Sequence, residues 1–108
     1  MSTTIAETAK ITETAIGQFA ISGVLNRSTL NEFWPKSVSV LKQANIEAQE
    51  VVISLADVEH ADTAALAWLL NLVRDAKQQK FSFQLKNVPQ TLINLAKISD
   101  VDGFLPLQ

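Results

Sequence analysis

The run EVVISL at residues 50–55 constrains the fold of this chain more than any other stretch. It is short, β-branched and almost continuously apolar, which is typical of a strand covered on both faces. The polar segment ADVEHAD at 56–62 follows it, and a helical pattern of apolar residues runs from Thr63 to about residue 79. A buried strand leading through a polar loop into a helix indicates an α/β layer fold.

The sequence before this strand predicts a hairpin and then a helix. Residues 11–16 and 18–22 are strand-like and flank Gly17, which suits a tight turn. Gly23 is expected to end the second strand. Helical spacing then runs from Leu30 to Ala44, with capping residues before it at Asn26, Ser28 and Thr29 and a possible capping box completed by Glu32. Pro35 either kinks this helix or marks its first turn.

The sequence after the central helix continues the alternation. Residues 80–88 predict a strand, Pro89 suits the first turn of another helix, and residues 104–107 can add a short last strand. The predicted order ββαβαβα(β) corresponds to a mixed sheet of four to five strands with helices packed mainly on one face. We expect one domain over residues 1–108, with 1–8 as a flexible lead-in.

Composition and charge exclude several classes of function. The chain has no cysteine, which excludes disulfides and thiolate metal sites, and its one histidine, His60, cannot build a metal site alone. A net charge of −2 argues against a nucleic-acid surface. The N-terminus does not resemble a signal peptide, and the longest apolar run is far below the ~20 residues of a membrane span. We expect a cytoplasmic protein without cofactor, metal, nucleic acid or direct membrane insertion.

The polar segment before the central helix does not read as a catalytic site. Asp57, Glu59 and Asp62 share one short predicted loop, whereas catalytic carboxylates need contrasting environments. No serine or cysteine nucleophile stands in a recognisable motif beside His60, and the chain has no phosphate-binding glycine loop. The sequence therefore predicts a protein that is not an enzyme.

The central helix carries more apolar surface than a helix on a sheet requires. Its core face is predicted to hold Leu66, Leu69, Leu70 and Val73, and a second apolar strip holds Ala65, Trp68, Leu72 and Ala76. Trp68 either packs beneath a neighbouring helix or lies in a contact patch, where tryptophan is enriched. We favour the contact patch, because the alanines around Trp68 let a partner approach closely. The predicted partner-binding residues are Asp62, Thr63, Ala64, Ala65, Ala67, Trp68 and Leu72.

Two residues at the start of this helix are expected to divide two tasks. Asp62 is expected to cap the orphan amides of the first turn. The Thr63 hydroxyl is then displayed to a partner, beside the positive end of the helix dipole.

The element order, the GVLN turn at 23–26 and the DTAAL run at 62–66 resemble the STAS domain family. This is the fold of anti-sigma-factor antagonists, of sulfate-transporter tails and of a lipid-transport ABC subunit. Asp62, Thr63 and Leu66 match the family motif, Ala65 stands where glycine is usual, and Asn26 stands where aspartate is common. The resemblance extends over roughly residues 9–107, including the tail from residue 87 to 104.

Within the family, the chain looks most like the cytoplasmic STAS subunit of Mla-type phospholipid transporters. That resemblance implies binding to the ATPase subunit and, through it, to a permease and a lipid-binding ring protein at the inner membrane. An alternative is an anti-sigma-factor antagonist that is regulated by phosphorylation at Thr63. A phosphate there gains from the helix N-terminus but is repelled by Asp57, Glu59 and Asp62, so charge alone leaves both readings open.

Overall fold

A computed structural model describes residues 9–30, 41–46 and 51–107. Its strands are β1 (Ala9–Ala15), β2 (Gln18–Leu25), β3 (Val52–Ala61) and β4 (Gln84–Lys86), and its named helices are α1 (Thr63–Gln78), α2 (Gln90–Ile98) and a 3-10 turn (Asp102–Phe104). Residues 27–30 and 41–46 are also helical. The predictions for the lead-in at 1–8, for Glu32 and for Pro35 lie outside the described residues.

The four strands form one mixed sheet in the order β1-β2-β3-β4. β1 and β2 are antiparallel and joined through Gly17, whose φ of 75° is the left-handed conformation expected of that turn. β2, β3 and β4 run parallel. Leu107 adds a single parallel bridge to Leu85, so the predicted last strand contributes one paired residue. The predicted mixed α/β sheet is confirmed.

The polar segment after the central strand is strand rather than loop, contrary to prediction. β3 continues to Ala61 and stays paired with β2, with Ser22 opposite Asp57 and Leu25 opposite Ala61. The register shifts by one residue twice along this pair, and each shift leaves an extra residue in β3. Such bulges break the two-residue alternation that identifies a strand, so the segment ADVEHAD looked like a loop in the sequence.

Two other strands differ in length from the prediction. β2 continues through Gly23, which has a φ of 94° and lies between the two register shifts instead of ending the strand. β4 spans three residues rather than 80–88, because only these residues pair with β3, opposite Val52, Ile53 and Ser54. Phe83, just before β4, is nevertheless buried with Leu85.

The core lies between the sheet and the two helices that follow β3 and β4. Phe19 and Ile21 on β2 alternate with half-buried neighbours and face this core. α1 packs against α2 as well as against β3, so the two helices cover the same face of the sheet. Leu92 and Ala96 are the buried residues of α2. This arrangement confirms the predicted one-sided helical layer for α1 and α2.

α1 and α2 end in the same backbone motif, and in both helices a residue other than glycine occupies the left-handed position of that motif. After α1, the Phe81 amide donates to the Ala76 carbonyl (2.9 Å), and Lys80 has a φ of 61°. After α2, the Val101 amide donates to the Ala96 carbonyl (2.9 Å), and Asp100 has a φ of 59°. This is the Schellman motif, in which glycine is preferred at the left-handed position because it lacks a Cβ.

Asp100→Gly is therefore expected to stabilise the protein by about 0.5–1 kcal/mol, because it relieves a left-handed non-glycine residue. The measurement is the free energy of unfolding from urea denaturation, followed by circular dichroism. Asp102→Gly is the matched control, because it removes the same charge two residues later, where φ is not positive. It should leave stability unchanged or lower it, and equal stabilisation by both variants would attribute the effect to charge.

Candidate functional site

The starts of two helical segments lie side by side at one end of the sheet. Leu25 and Ala61 are paired at the ends of the parallel strands β2 and β3. The helical residues 27–30 follow the first strand after one residue, and α1 follows the second after one residue. The two first turns are therefore held together by the strand pairing, with their amide ends at the same edge.

Asp62 fixes the start of α1, as predicted. Its carboxylate oxygen Oδ1 accepts from the backbone amides of Ala64 (2.9 Å) and Ala65 (3.4 Å). Its carbonyl accepts from the amides of Ala65 and Leu66. These contacts satisfy orphan donors of the first turn and place a negative charge at the positive end of the helix dipole.

A reciprocal cap fixes the neighbouring helix start. The Thr29 amide donates to Asn26 Oδ1, and the Asn26 amide donates to Thr29 Oγ1, both at 3.0 Å. The Thr29 hydroxyl also donates to the Val24 carbonyl at 2.7 Å, and the residue is buried. Asn26 and Thr29 thus form a reciprocal capping box at this helix start, whereas the predicted box of Thr29 and Glu32 involves a residue outside the described ranges.

The solvent side of α1 begins at Thr63, its first residue. The exposed residues along the first three turns of this side are Thr63, Ala67, Asn71 and Arg74, and the half-buried residues Ala64 and Leu70 flank them. We call these six residues the α1 ridge. Steps of three and four residues place them on one helix face, and the small side chains lie at its N-terminal end.

The predicted position of Trp68 in an exposed contact patch is wrong. The exposed fraction is 4% for Trp68 and 0% for both Ala65 and Leu72, which therefore belong to the core. The expected stripe was too narrow because α1 packs against α2 as well as against the sheet, and its core cluster also includes Leu30, Leu41 and Ala44 from the helical residues before β3. Two packing surfaces bury a wider arc of the helix than one sheet does, so the second apolar strip was not surplus.

This result separates the predicted partner-binding residues into a group that reaches solvent and a group that is buried in the core. Thr63, Ala64 and Ala67 lie on the α1 ridge, and Asp62 is a half-buried cap beside it. Asn71 and Arg74, which the prediction left out, are on the ridge as well. Their helical spacing from Thr63 and Ala67 was the signal that could have found them.

Two polar residues of β3, Asp57 and Glu59, line an open cleft of about 260 Å³ together with Lys10 of β1, and His60 is not among its described lining residues. Asp57, Glu59 and His60 are exposed along an extended strand. Within the described ranges, no group of three His, Asp or Glu side chains is placed to hold a metal ion. The same part of the chain contains no helix with the length and hydropathy of a membrane span.

Comparison with known proteins identifies the class to which this fold and capped helix belong. The profile of the family described as "Mlab, STAS domain" matches residues 12–107, which is most of the chain. The chain belongs to the STAS domain family, as its sequence motifs predicted.

A named relative narrows this class. The chain is similar to the intermembrane phospholipid transport system binding protein MlaB of Haemophilus influenzae. The two are 29% identical over 83 residues, which are 77% of this chain and 79% of that protein. Together with the family profile, this likeness makes the chain an MlaB-like STAS protein.

Solved structures agree on the fold. An anti-sigma factor antagonist from Mycobacterium paratuberculosis superimposes with a TM-score of 0.61, at 17% identity, over 94% of this chain and 85% of that one. The antagonist SpoIIAA in its unphosphorylated form gives a TM-score of 0.57, at 10% identity, over 93% of this chain and 87% of that one. At such identities the likeness shows the fold alone.

The corrected position of Trp68 predicts the outcome of truncation. Trp68→Ala should lower the free energy of unfolding by ~3–5 kcal/mol, comparable with Leu69→Ala, because both side chains are buried. Ala67→Ser, at the exposed position just before them, should change it by less than about 0.5 kcal/mol. Urea denaturation followed by circular dichroism measures all three. If the Trp68→Ala protein is as stable as the Ala67→Ser control, Trp68 is exposed and not part of the core.

Proposed function

We propose that this protein is a non-catalytic STAS subunit of an Mla-type phospholipid-transport ABC system, and that it binds the cytoplasmic ATPase through the α1 ridge. The single observation that carries the proposal is the combination of MlaB likeness with an exposed threonine at a firmly capped helix start. The likeness to MlaB supports the choice of transport system, and the geometry at the start of α1 supports the choice of binding surface.

The α1 ridge has the physical properties of a docking surface. Thr63, Ala64 and Ala67 present little side-chain bulk, so a partner backbone can come close to the helix there. Arg74, whose side chain is 63% exposed, adds a charged group about three turns along. The Asp62 cap and the buried side of α1 hold the ridge in place, which reduces the ordering cost of binding.

The proposed assembly has consequences for location and further partners. Binding to the ATPase places this protein on the cytoplasmic face of the inner membrane, where the ATPase holds it beside the permease and the lipid-binding ring protein. Its own role is assembly and activity of the ATPase, with the chemistry of nucleotide hydrolysis left to that subunit.

The alternative is an anti-sigma-factor antagonist switched by phosphorylation of Thr63. Its support is the fold shared with solved antagonists and the exposure of the Thr63 side chain in the first turn of α1. The two proposals use the same surface but different partners: a transporter ATPase in one case and an anti-sigma kinase in the other.

Thr63→Glu tests the proposed surface. The residue is exposed and an anion is favourable in the first turn of a helix, so folding should be retained. A bulky charge at the small-residue end of the ridge should reduce co-purification with the co-expressed ATPase subunit at least tenfold. Melting by circular dichroism is recorded on the same preparations, and cells carrying the variant should show a weakened outer-membrane lipid barrier.

The matched control is Thr91→Glu. Thr91 is also exposed and lies in the first turn of a helix, but that helix is α2 and the residue is off the ridge. It should co-purify with the ATPase at the wild-type ratio. If Thr63→Glu folds and co-purifies like this control, the ridge is not the ATPase-binding surface. Capture of an anti-sigma kinase in place of the ATPase would support the alternative.

A further inference from the structure

A second surface feature lies at the opposite end of α1 from Thr63. Val73, Ala76 and Lys77 form one wall of an open crevice, and the remaining described lining residues are Phe81, Ser82, Phe83 and Pro106. Ala76 lies thirteen positions after Thr63, which corresponds to about 20 Å along a helix. The crevice is therefore separate from Thr63, Ala64 and Ala67, the small residues at the start of the α1 ridge.

The size of the crevice limits what can enter it. Its volume is about 150 Å³, below the ~300–1,000 Å³ of ordinary small-molecule sites. A cavity of ~150 Å³ accommodates a group the size of benzene. One large apolar side chain fits this space.

The charges around the crevice select the segment that carries this side chain. Lys77 is the charged residue among the described lining residues, and it is exposed. Arg74 precedes it by about one turn, and Lys80 adjoins the lining residue Phe81 in the turn that ends α1. The nearby acidic side chain on this stretch, Asp75, lies 3.8 Å from Arg74 Nε. Although the whole chain has a net charge of −2, this end of α1 is cationic.

We propose that this crevice is a second docking site, which receives one large apolar side chain from an acidic segment of a partner protein. The aromatic rings of Phe81 and Phe83 and the face of Pro106 surround the inserted side chain. Lys77 and Lys80 then pair with carboxylates on either side of it. Anchor residues in desolvated pockets with a charged rim are the usual centre of protein interfaces. The proposal does not depend on the identity of the partner of the α1 ridge.

A short peptide tests the chemistry directly. The probe is a five-residue peptide with phenylalanine between two pairs of glutamates, titrated into the full-length protein labelled with ¹⁵N. We expect the amide signals of Phe81, Ser82 and Phe83 to shift. The same peptide with alanine in place of phenylalanine, and the one with lysines in place of the glutamates, should bind at least fivefold more weakly.

Matched protein variants separate the crevice from general electrostatics. Lys77→Glu should weaken binding of the acidic peptide at least fivefold, and this exposed position leaves folding intact. Lys10→Glu makes the same charge change on β1, at the far edge of the sheet, and should leave binding within twofold of the wild type. Equal weakening by both variants, or equal binding of all three peptides, would overturn the proposal. So would Lys77-dependent binding to phosphatidylglycerol vesicles without binding of the acidic peptide, because the site would then serve a lipid surface.

Discussion

The parallel pairing of β2 with β3 is the constraint on which the rest of the structure depends. It continues past the buried centre of β3 through two register shifts and ends with Leu25 opposite Ala61. One residue later, each strand gives way to a capped helix start. The backbone ladder, rather than any contact between the two helix starts, therefore determines where Thr63 stands.

The cap and the core then turn this position into a surface of fixed shape. Asp62 holds the first turn of α1 through two amide contacts. Below it, Trp68, Leu69 and Leu72 are buried, so the helix cannot rotate without exposing large apolar area. What remains outside over the first three turns of α1 is the α1 ridge. The core residues supply the rigidity of this surface.

Part of the fold and of the candidate site could be predicted from the sequence, and the features that could not be predicted share physical causes. The α1 boundaries and the Asp62 cap followed from helical spacing and local side-chain chemistry, which operate within a few residues. The burial of Trp68 did not follow, because it depends on tertiary packing with elements that are distant in the chain: the core cluster that includes Trp68 also includes Leu41 and Leu92. The end of β3 was also missed, since its bulges exist only in the pairing with β2. Local chemistry located the helix start and its cap, while tertiary packing decided which of the predicted residues reach solvent.

Under the proposed function, the exposed side of α1, and not that of α2, faces the ATPase. Site-specific photo-crosslinking in cells measures this most directly, with a benzophenone amino acid placed at Ala67 or at Asn94. Both positions are exposed and mid-helix, the first on α1 and the second on α2. We expect a crosslink to the ATPase subunit from position 67 and none from position 94. A crosslink from position 94 alone, at equal expression of the two proteins, would contradict it.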